Sequence, residues 1–245
     1  MTPAGAPVAS QSARDLLGAT SAALGSAQES RWIVAHAAGM SAGDLAARPD
    51  IVVTPAVSAA VADMVQRRVS GEPLQYVLGT WAFRGLEVRV DARVLIPRPE
   101  TEQVVAVALD ELLSQAARVA PGTPLVAADL GTGSGVIALA LASELEPSRP
   151  FEVWATDISP GALELCTENL AALARQDPSA AARVRVARGS WFDALPAEVA
   201  GKLRQQLEDP NIQRNLRTNN AVLMLAVAPE NLYRGDTITF ALVKS

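Results

Sequence analysis

Two periodicities divide the chain. As far as Ser70 the apolar positions recur at three- and four-residue spacing, as in Val57, Val61, Met64 and Val65, which puts them on one helical face. Start signals punctuate this region. Ser26-x-x-Glu29 and Ser41-x-x-Asp44 read as capping boxes. Thr54-Pro55 reads as an N-cap followed by proline in the first turn. Gly71 can close the last helix. Three to five short helices fit between Ser10 and Ser70, a small bundle with little room for a deep pocket. Residues 1–10, rich in Ala, Pro and Ser, are expected to fray.

From Gly79 the period changes. Leu86, Val88 and Val90 alternate with polar residues between glycine turns, the pattern of a hairpin and connector. Residues 102–118 return to helical spacing. Strand "LVAADL" then runs into a glycine turn and a helix over 135–145, strand "FEVWATDIS" into a helix that Ser159-Pro160 starts and that reaches Gln176, and "RVRVARGSWF" supplies a third strand and its exit. This β-α-β-α-β order is the first half of a doubly wound parallel sheet. "AVLMLAVA" (221–228) and "TITFALVK" are candidate further strands. No internal repeat is present.

Composition narrows the setting. Apolar residues make up 49% of the chain and charged residues 19%, enough for a substantial core, with Ala and Val rather than aromatics (4%) filling it. The net charge of -5 argues against non-specific binding of nucleic acid. One cysteine, Cys166, excludes an internal disulfide and a multi-cysteine zinc site. With His36 the only histidine, no metal site is expected, and His36 reads as an ordinary helix residue. Cys166 reads as a small apolar filler. Without an apolar run of about 20 residues or a signal-peptide pattern, a soluble, cytoplasmic protein without membrane contact is expected. The arginines at 67–68 and at 183, 185 and 188 read as solvated faces.

The chemistry concentrates in 129-DLGTGSG-135. A glycine-rich turn between strand and helix lets a ligand approach the backbone amides at the carboxyl edge of the sheet. A Walker loop would need Lys after the last glycine, and Val136 stands there. The dinucleotide fingerprint G-x-G-x-x-G is matched only in part. Asp129 completes D-x-G-x-G-x-G, which looks like the first motif of class I S-adenosylmethionine-dependent methyltransferases. Asp157 ends the second strand, where a carboxylate can take both ribose hydroxyls. The alternative for the glycines is a purely structural turn.

Four stretches resemble the bacterial release-factor glutamine methyltransferase family: 71–102 ("GEPLQYVLGTWAFRGLEVRVDARVLIPRPETE"), 129–142 ("DLGTGSGVIALALA"), 155–170 ("ATDISPGALELCTENL") and 189–196 ("GSWFDALP"). The similarity runs from about residue 10 to 204, and the run Arg98-Pro99-Glu100-Thr101-Glu102 separates it from a sister family that acts on a ribosomal protein. The resemblance implies an α/β fold, a Rossmann-like class I methyltransferase domain with a parallel-rich doubly wound sheet that looks incomplete at its C-terminal end, preceded by an all-α bundle. Expected boundaries are 1–75 for the release-factor-docking bundle, 76–100 for the β-hairpin connector and 101–245 for the methyltransferase domain, with 205–245 atypical.

The resemblance also implies transfer of a methyl group from S-adenosyl-L-methionine to the side-chain amide of the glutamine in the Gly-Gly-Gln loop of peptide chain release factors. Gly131, Thr132, Gly133, Ser134 and Gly135 would hold the methionine and ribose part, Asp157 the ribose hydroxyls, and Trp191 the adenine, with core filling the alternative for Trp191. Ser190 stands where relatives often carry an acidic residue. Glu100 and Glu102 either cap a helix or border the active site. A monomer with release factors as protein substrate and no direct nucleic-acid contact is expected.

The family's chemical centre, Asn-Pro-Pro-Tyr, is missing. In it the Asn side chain and the first Pro carbonyl orient the target amide and raise its electron density. After Arg204 the similarity stops, and the aligned tetrapeptide is Ala228-Pro229-Glu230-Asn231, with Tyr233 at the wrong spacing. Residues 205–245 hold five Asn in a chain otherwise poor in them. No catalytic residue is assigned. A binding module that docks a release factor or the cofactor without turnover, a ribosomal-protein or DNA amino-methyltransferase, and a nicotinamide oxidoreductase remain the alternatives. The last lacks a Tyr-x-x-x-Lys or comparable hydride-handling set.

Overall fold

The computed structural model describes residues 11–118, 120, 122, 124–201 and the strand Ala241–Val243. They fall into two compact units that divide between Gly79 and Thr80. Among the described residues no helix is long and apolar enough to cross a membrane.

The first unit is built of five helices: α1 (Ala13–Leu24), α2 (Ala27–Ala38), α3 (Ala42–Ala47), α4 (Pro55–Val69) and α5 (Leu74–Leu78). Ser26, Ser41 and Thr54 each accept a backbone N–H three residues on. A full capping box appears instead at Ser12, whose hydroxyl caps Asp15 while the Asp15 carboxylate accepts the Ser12 N–H. Ser26 has no such reciprocal bond because the Glu29 carboxylate is held by Arg68 at 2.8 and 3.1 Å. Val61 is buried, and Val57, Met64 and Val65 pack against the core formed with Leu16, Ile33, Val34, Leu45, Leu74 and Val77. An isolated bridge between Ser12 and Val52 closes this unit on itself. His36 is exposed in the last turn of α2.

The arginines of α4 correct the expectation of solvated faces. Arg67 grips Glu72 and the carbonyls of Tyr76 and Val77, while Arg68 grips Glu29 and the Glu72 carbonyl. Each guanidinium fork meets several acceptors at once, a geometry that a planar five-donor group satisfies better than bulk water does at a helix end.

The second unit opens with the antiparallel hairpin β1 (Thr80–Phe83) and β2 (Leu86–Arg89). Its two-residue turn, Arg84-Gly85, has φ of 46° and 81°, the left-handed pair that suits hairpin twist. The strain at Arg84 is offset by a bidentate ion pair to Glu144 and a guanidinium bond of 2.8 Å to the Glu102 carbonyl. Glu102 also accepts the Arg84 N–H at 3.3 Å, so this carboxylate secures the hairpin tip.

Helix α6 (Pro99–Arg118) leads to β3 (Leu125–Leu130), α7 (Val136–Glu144), β4 (Phe151–Asp157), α8 (Pro160–Gln176), the short α9 (Pro178–Ala181) and β5 (Val184–Arg188). Strands β3, β4 and β5 run parallel, with Leu125 beside Phe151 and Val153 beside Val184. Strand β6 (Ala241–Val243) pairs antiparallel to β3, giving the order β5-β4-β3-β6. This is the Rossmann-like half-sheet that the resemblance implies. Helix α7 is buried all round from Val136 to Ala142, as an apolar helix in a sheet crossover must be. Arg183, also expected in a solvated face, donates to the carbonyl of Ala142 in α7 and to those of Leu145, Glu146 and Arg149 in the segment beyond it.

Candidate functional site

The carboxyl ends of β3, β4 and β5 bring the expected residues together. The turn after β3 hangs from β4: the amides of Gly131 and Thr132 both donate to the Thr156 carbonyl, at 2.7 and 2.8 Å. Gly131, Gly133 and Gly135 carry φ of 81°, 56° and 85°, a left-handed series that side chains with a Cβ rarely adopt. The outer and inner sides of the turn differ. A Cβ on Gly133 would have only Val94 at 4.0 Å, so that face is open. A Cβ on Gly135 would lie 2.7 Å from the Cys166 Sγ and 3.4 Å from Leu139. Gly135 therefore lets the turn sit down on α8, while Gly133 offers backbone to whatever occupies the sheet edge.

Asp157 ends β4 and spans the turn. Its Oδ2 accepts the Gly133 N–H at 3.0 Å and its Oδ1 the Ser159 N–H at 2.9 Å. Ser159 in turn caps α8 through Ala162 N–H. Sequence spacing put Asp157 at the end of a strand; it did not reveal that the carboxylate is already fixed by the glycine turn. Trp191 lies just beyond β5 with φ of 51° and is 52% exposed. Ile158, 66% exposed, is the other exposed large apolar side chain in the described segments that leave β4 and β5. An apolar ring and an apolar chain held out at the sheet edge need a partner surface, and the core-filling alternative for Trp191 does not describe a ring this exposed.

Beneath the turn lies Asp129, 1% exposed. Its Oδ2 accepts the Thr132 hydroxyl at 2.5 Å and the Ala138 N–H at 3.2 Å. Its Oδ1 is buried without a hydrogen-bond partner. Burial pushes this carboxyl up to about 6, the bonds from Thr132 and Ala138 pull the other way, and the Asp157 charge adds a further push. Neighbouring Cys166 is buried, and desolvation pushes its thiol up to about 12, so it is an apolar filler rather than a nucleophile.

The Asp129 shift has a consequence for stability. The folded chain holds this proton more tightly than the unfolded chain, so the contribution is present below about pH 4 and lost as pH rises through about 6. Asp129→Asn cannot ionise. The stability of the variant relative to the parent chain will rise between pH 4 and pH 7 by on the order of 2–3 kcal/mol. Chemical denaturation of both proteins across that range measures it, and a pH-independent difference would show that Asp129 titrates as if exposed.

Thr132 is buried and serves Asp129. Ser134 is buried and gives its carbonyl to the Asn169 side chain at 2.9 Å. Asn169 is the residue sequence reasoning missed at this site. It sits mid-helix, and no local signal marks a polar residue whose partners are far away in the chain. Asn231 and Tyr233, considered as substitutes for the absent tetrapeptide, lie outside the described residues.

The family described as the PrmC N-terminal domain matches residues 9–79. A release factor glutamine methyltransferase of Bordetella pertussis is 40% identical over 69% of this chain and 57% of its own length. The human MTRF1L release factor glutamine methyltransferase is 38% identical over 61% of this chain and 44% of its own. That of Vibrio cholerae is 41% identical over 60% of this chain and 46% of its own. The chain thus spans about half the length of the curated relatives it matches.

Proposed function

The chain belongs to the release factor glutamine methyltransferase family, and from that premise we propose that it transfers a methyl group from S-adenosyl-L-methionine to the side-chain amide nitrogen of a glutamine in a peptide chain release factor. The observation that carries the proposal is the Asp157 carboxylate fixed across a turn of three left-handed glycines at the sheet edge.

The residues present fit the cofactor. The open face at Gly133 allows a close backbone approach. Asp157 keeps unused lone pairs on both oxygens, which can accept from a pair of ribose hydroxyls. The orphaned Asp129 Oδ1 is a buried negative charge beside the turn, which a ligand bearing a cationic amine relieves. Trp191 offers a ring face for a purine. Bound there, the cofactor supplies an electrophilic methyl group. The chain's own contribution is positional: it holds the donor against the sheet edge and sheds water from it. The helical unit, residues 11–79, is the expected docking surface for the release factor, and the Arg98–Glu102 segment opens α6.

A second reading rests on one specific observation. The tetrapeptide that orients the amide is absent from the sequence, with Ala228-Pro229-Glu230-Asn231 in its place. A chain that binds cofactor and release factor without turnover is the outcome that reading expects. Incubation with radiolabelled S-adenosylmethionine and a release factor, beside the same factor with its Gly-Gly-Gln glutamine changed to alanine, separates the two. Label that depends on that glutamine supports the methyltransferase. Saturable cofactor binding with no label supports the binding module.

Trp191 gives a second test. Trp191→Gly relieves a left-handed non-glycine residue, worth about 1–2 kcal/mol, while losing partial burial and adding unfolded-state entropy. Stability should therefore stay within about 1 kcal/mol of the parent. Affinity for S-adenosylhomocysteine should fall about tenfold, the scale of one base-stacking contact. Calorimetry and thermal melts together decide it, since a ring with a structural role would move both.

A further inference from the structure

We propose that Asn169 is a positioning residue that locks the glycine turn to the connector hairpin. Three hydrogen bonds carry the argument. The Asn169 Oδ1 accepts the Arg89 N–H at 2.7 Å, and its Nδ2 donates to the Arg89 carbonyl at 3.1 Å and to the Ser134 carbonyl at 2.9 Å. The side chain therefore pairs with Arg89 as a neighbouring strand would, and spends its second amide hydrogen on the turn. The side chain is 3% exposed, and its bond to Ser134 is buried.

The chemistry admits few substitutes. The position needs one acceptor and two donors at the end of a short side chain. Aspartate lacks the donors and would point an oxygen at two carbonyls. Glutamine is one methylene too long, and an aliphatic residue takes the partner from three backbone groups, of which the Ser134 carbonyl is buried. Residues 1–204 contain no other asparagine.

The position within the turn gives the lock its meaning. Ser134 lies between Gly133, whose N–H is held by Asp157, and Gly135, which packs on Cys166. Asp157 thus fixes the turn from β4 and Asn169 fixes it from α8. Because Asn169 also fixes the end of β2, the turn and the hairpin keep one register. The segment that follows β2 runs past Val94, the neighbour of Gly133, to the start of α6 at Pro99. The inference takes from the proposed function only that the turn holds the cofactor.

The test uses the full chain with Asn169→Ala and, as a comparator, Arg93→Ala. Arg93 pairs with Asp91 within the connector and links it to α8 through Glu164 and Glu168, with no bond to the turn among the described residues. Hydrogen exchange of the unliganded proteins is read in peptides covering 86–90 and 131–136. N169A should speed exchange in both by about tenfold or more, the loss of one to two hydrogen bonds. R93A should leave the turn unchanged. Calorimetry should then show an affinity for S-adenosylhomocysteine about tenfold weaker in N169A and unaltered in R93A.

Asn169→Ser, smaller in its disturbance, is read in the same way and stands in if N169A does not fold. Unchanged exchange at the turn in the Asn169 variants, or equal loosening by R93A, overturns the lock. A parent chain that fails to bind S-adenosylhomocysteine defeats the cofactor reading instead, while the exchange pattern still decides the role of Asn169.

Discussion

Asp157→Ala will weaken binding of S-adenosylhomocysteine by at least about 100-fold. Two hydrogen bonds to an ionised acceptor are worth about 1.5–3 kcal/mol each, and every 1.4 kcal/mol is a factor of ten. The loss goes beyond the ligand's own bonds. Asp157 holds the Gly133 N–H at 3.0 Å, so the variant also releases the part of the turn that faces the ligand. Asp157→Asn separates the two effects. Its carbonyl can still take one backbone N–H, but the charge is gone, so its affinity should lie between those of the parent and the alanine variant. Calorimetric titration of the three proteins provides the ranking. Parent-like affinity in the alanine variant would remove Asp157 from the site.

Gly135→Ala should destabilise the fold by about 4 kcal/mol. Two costs add. A residue with a Cβ at φ of 85° carries about 1–2 kcal/mol of strain. The new methyl would also stand 2.7 Å from the Cys166 Sγ, and overpacking a filled core costs about 1–3 kcal/mol. The two parts can be told apart. Cys166→Ala removes the obstructing sulfur, so the double variant should recover the packing cost and keep the strain. A double-mutant cycle in denaturant should show coupling of about 1–2 kcal/mol, and strictly additive losses would mean that Cys166 is not what Gly135 accommodates.

How much of this was legible depended on the range of the signals. Strands β3 and β4, the glycine turn and the helix begun by Ser159-Pro160 carry local marks, and they appear within a residue or two of where spacing puts them, while the candidate strand at 221–228 lies outside the described residues. Asp157 could be placed because a strand end is a local event. Asn169, Arg68 and Arg84 could not. Their partners lie 80, 39 and 60 residues away, and a polar residue in a helix or a turn looks the same whether it faces water or staples two segments. The unsatisfied Asp129 oxygen was hidden for the same reason, since only the packed turn buries it. The Ser12 cap passed unnoticed in a stretch where Ser and Ala dominate. The missing tetrapeptide was legible from the outset, and its region lies outside the described residues.

The Ser12–Val52 bridge and the contacts among α1, α2 and α4 lie wholly within the first unit, which ends at Gly79, whereas the pairing of β3 with β4 and of β4 with β5 needs the chain as far as Arg188. Domains generally fold as units, the N-terminal one first as the chain leaves the ribosome. The helical unit should therefore be complete while the half-sheet is still being synthesised. Mutations in the glycine turn would then act late, on a chain whose helical unit is already folded, and should lower the yield of intact protein by exposing the second unit to proteases rather than by preventing the first from forming.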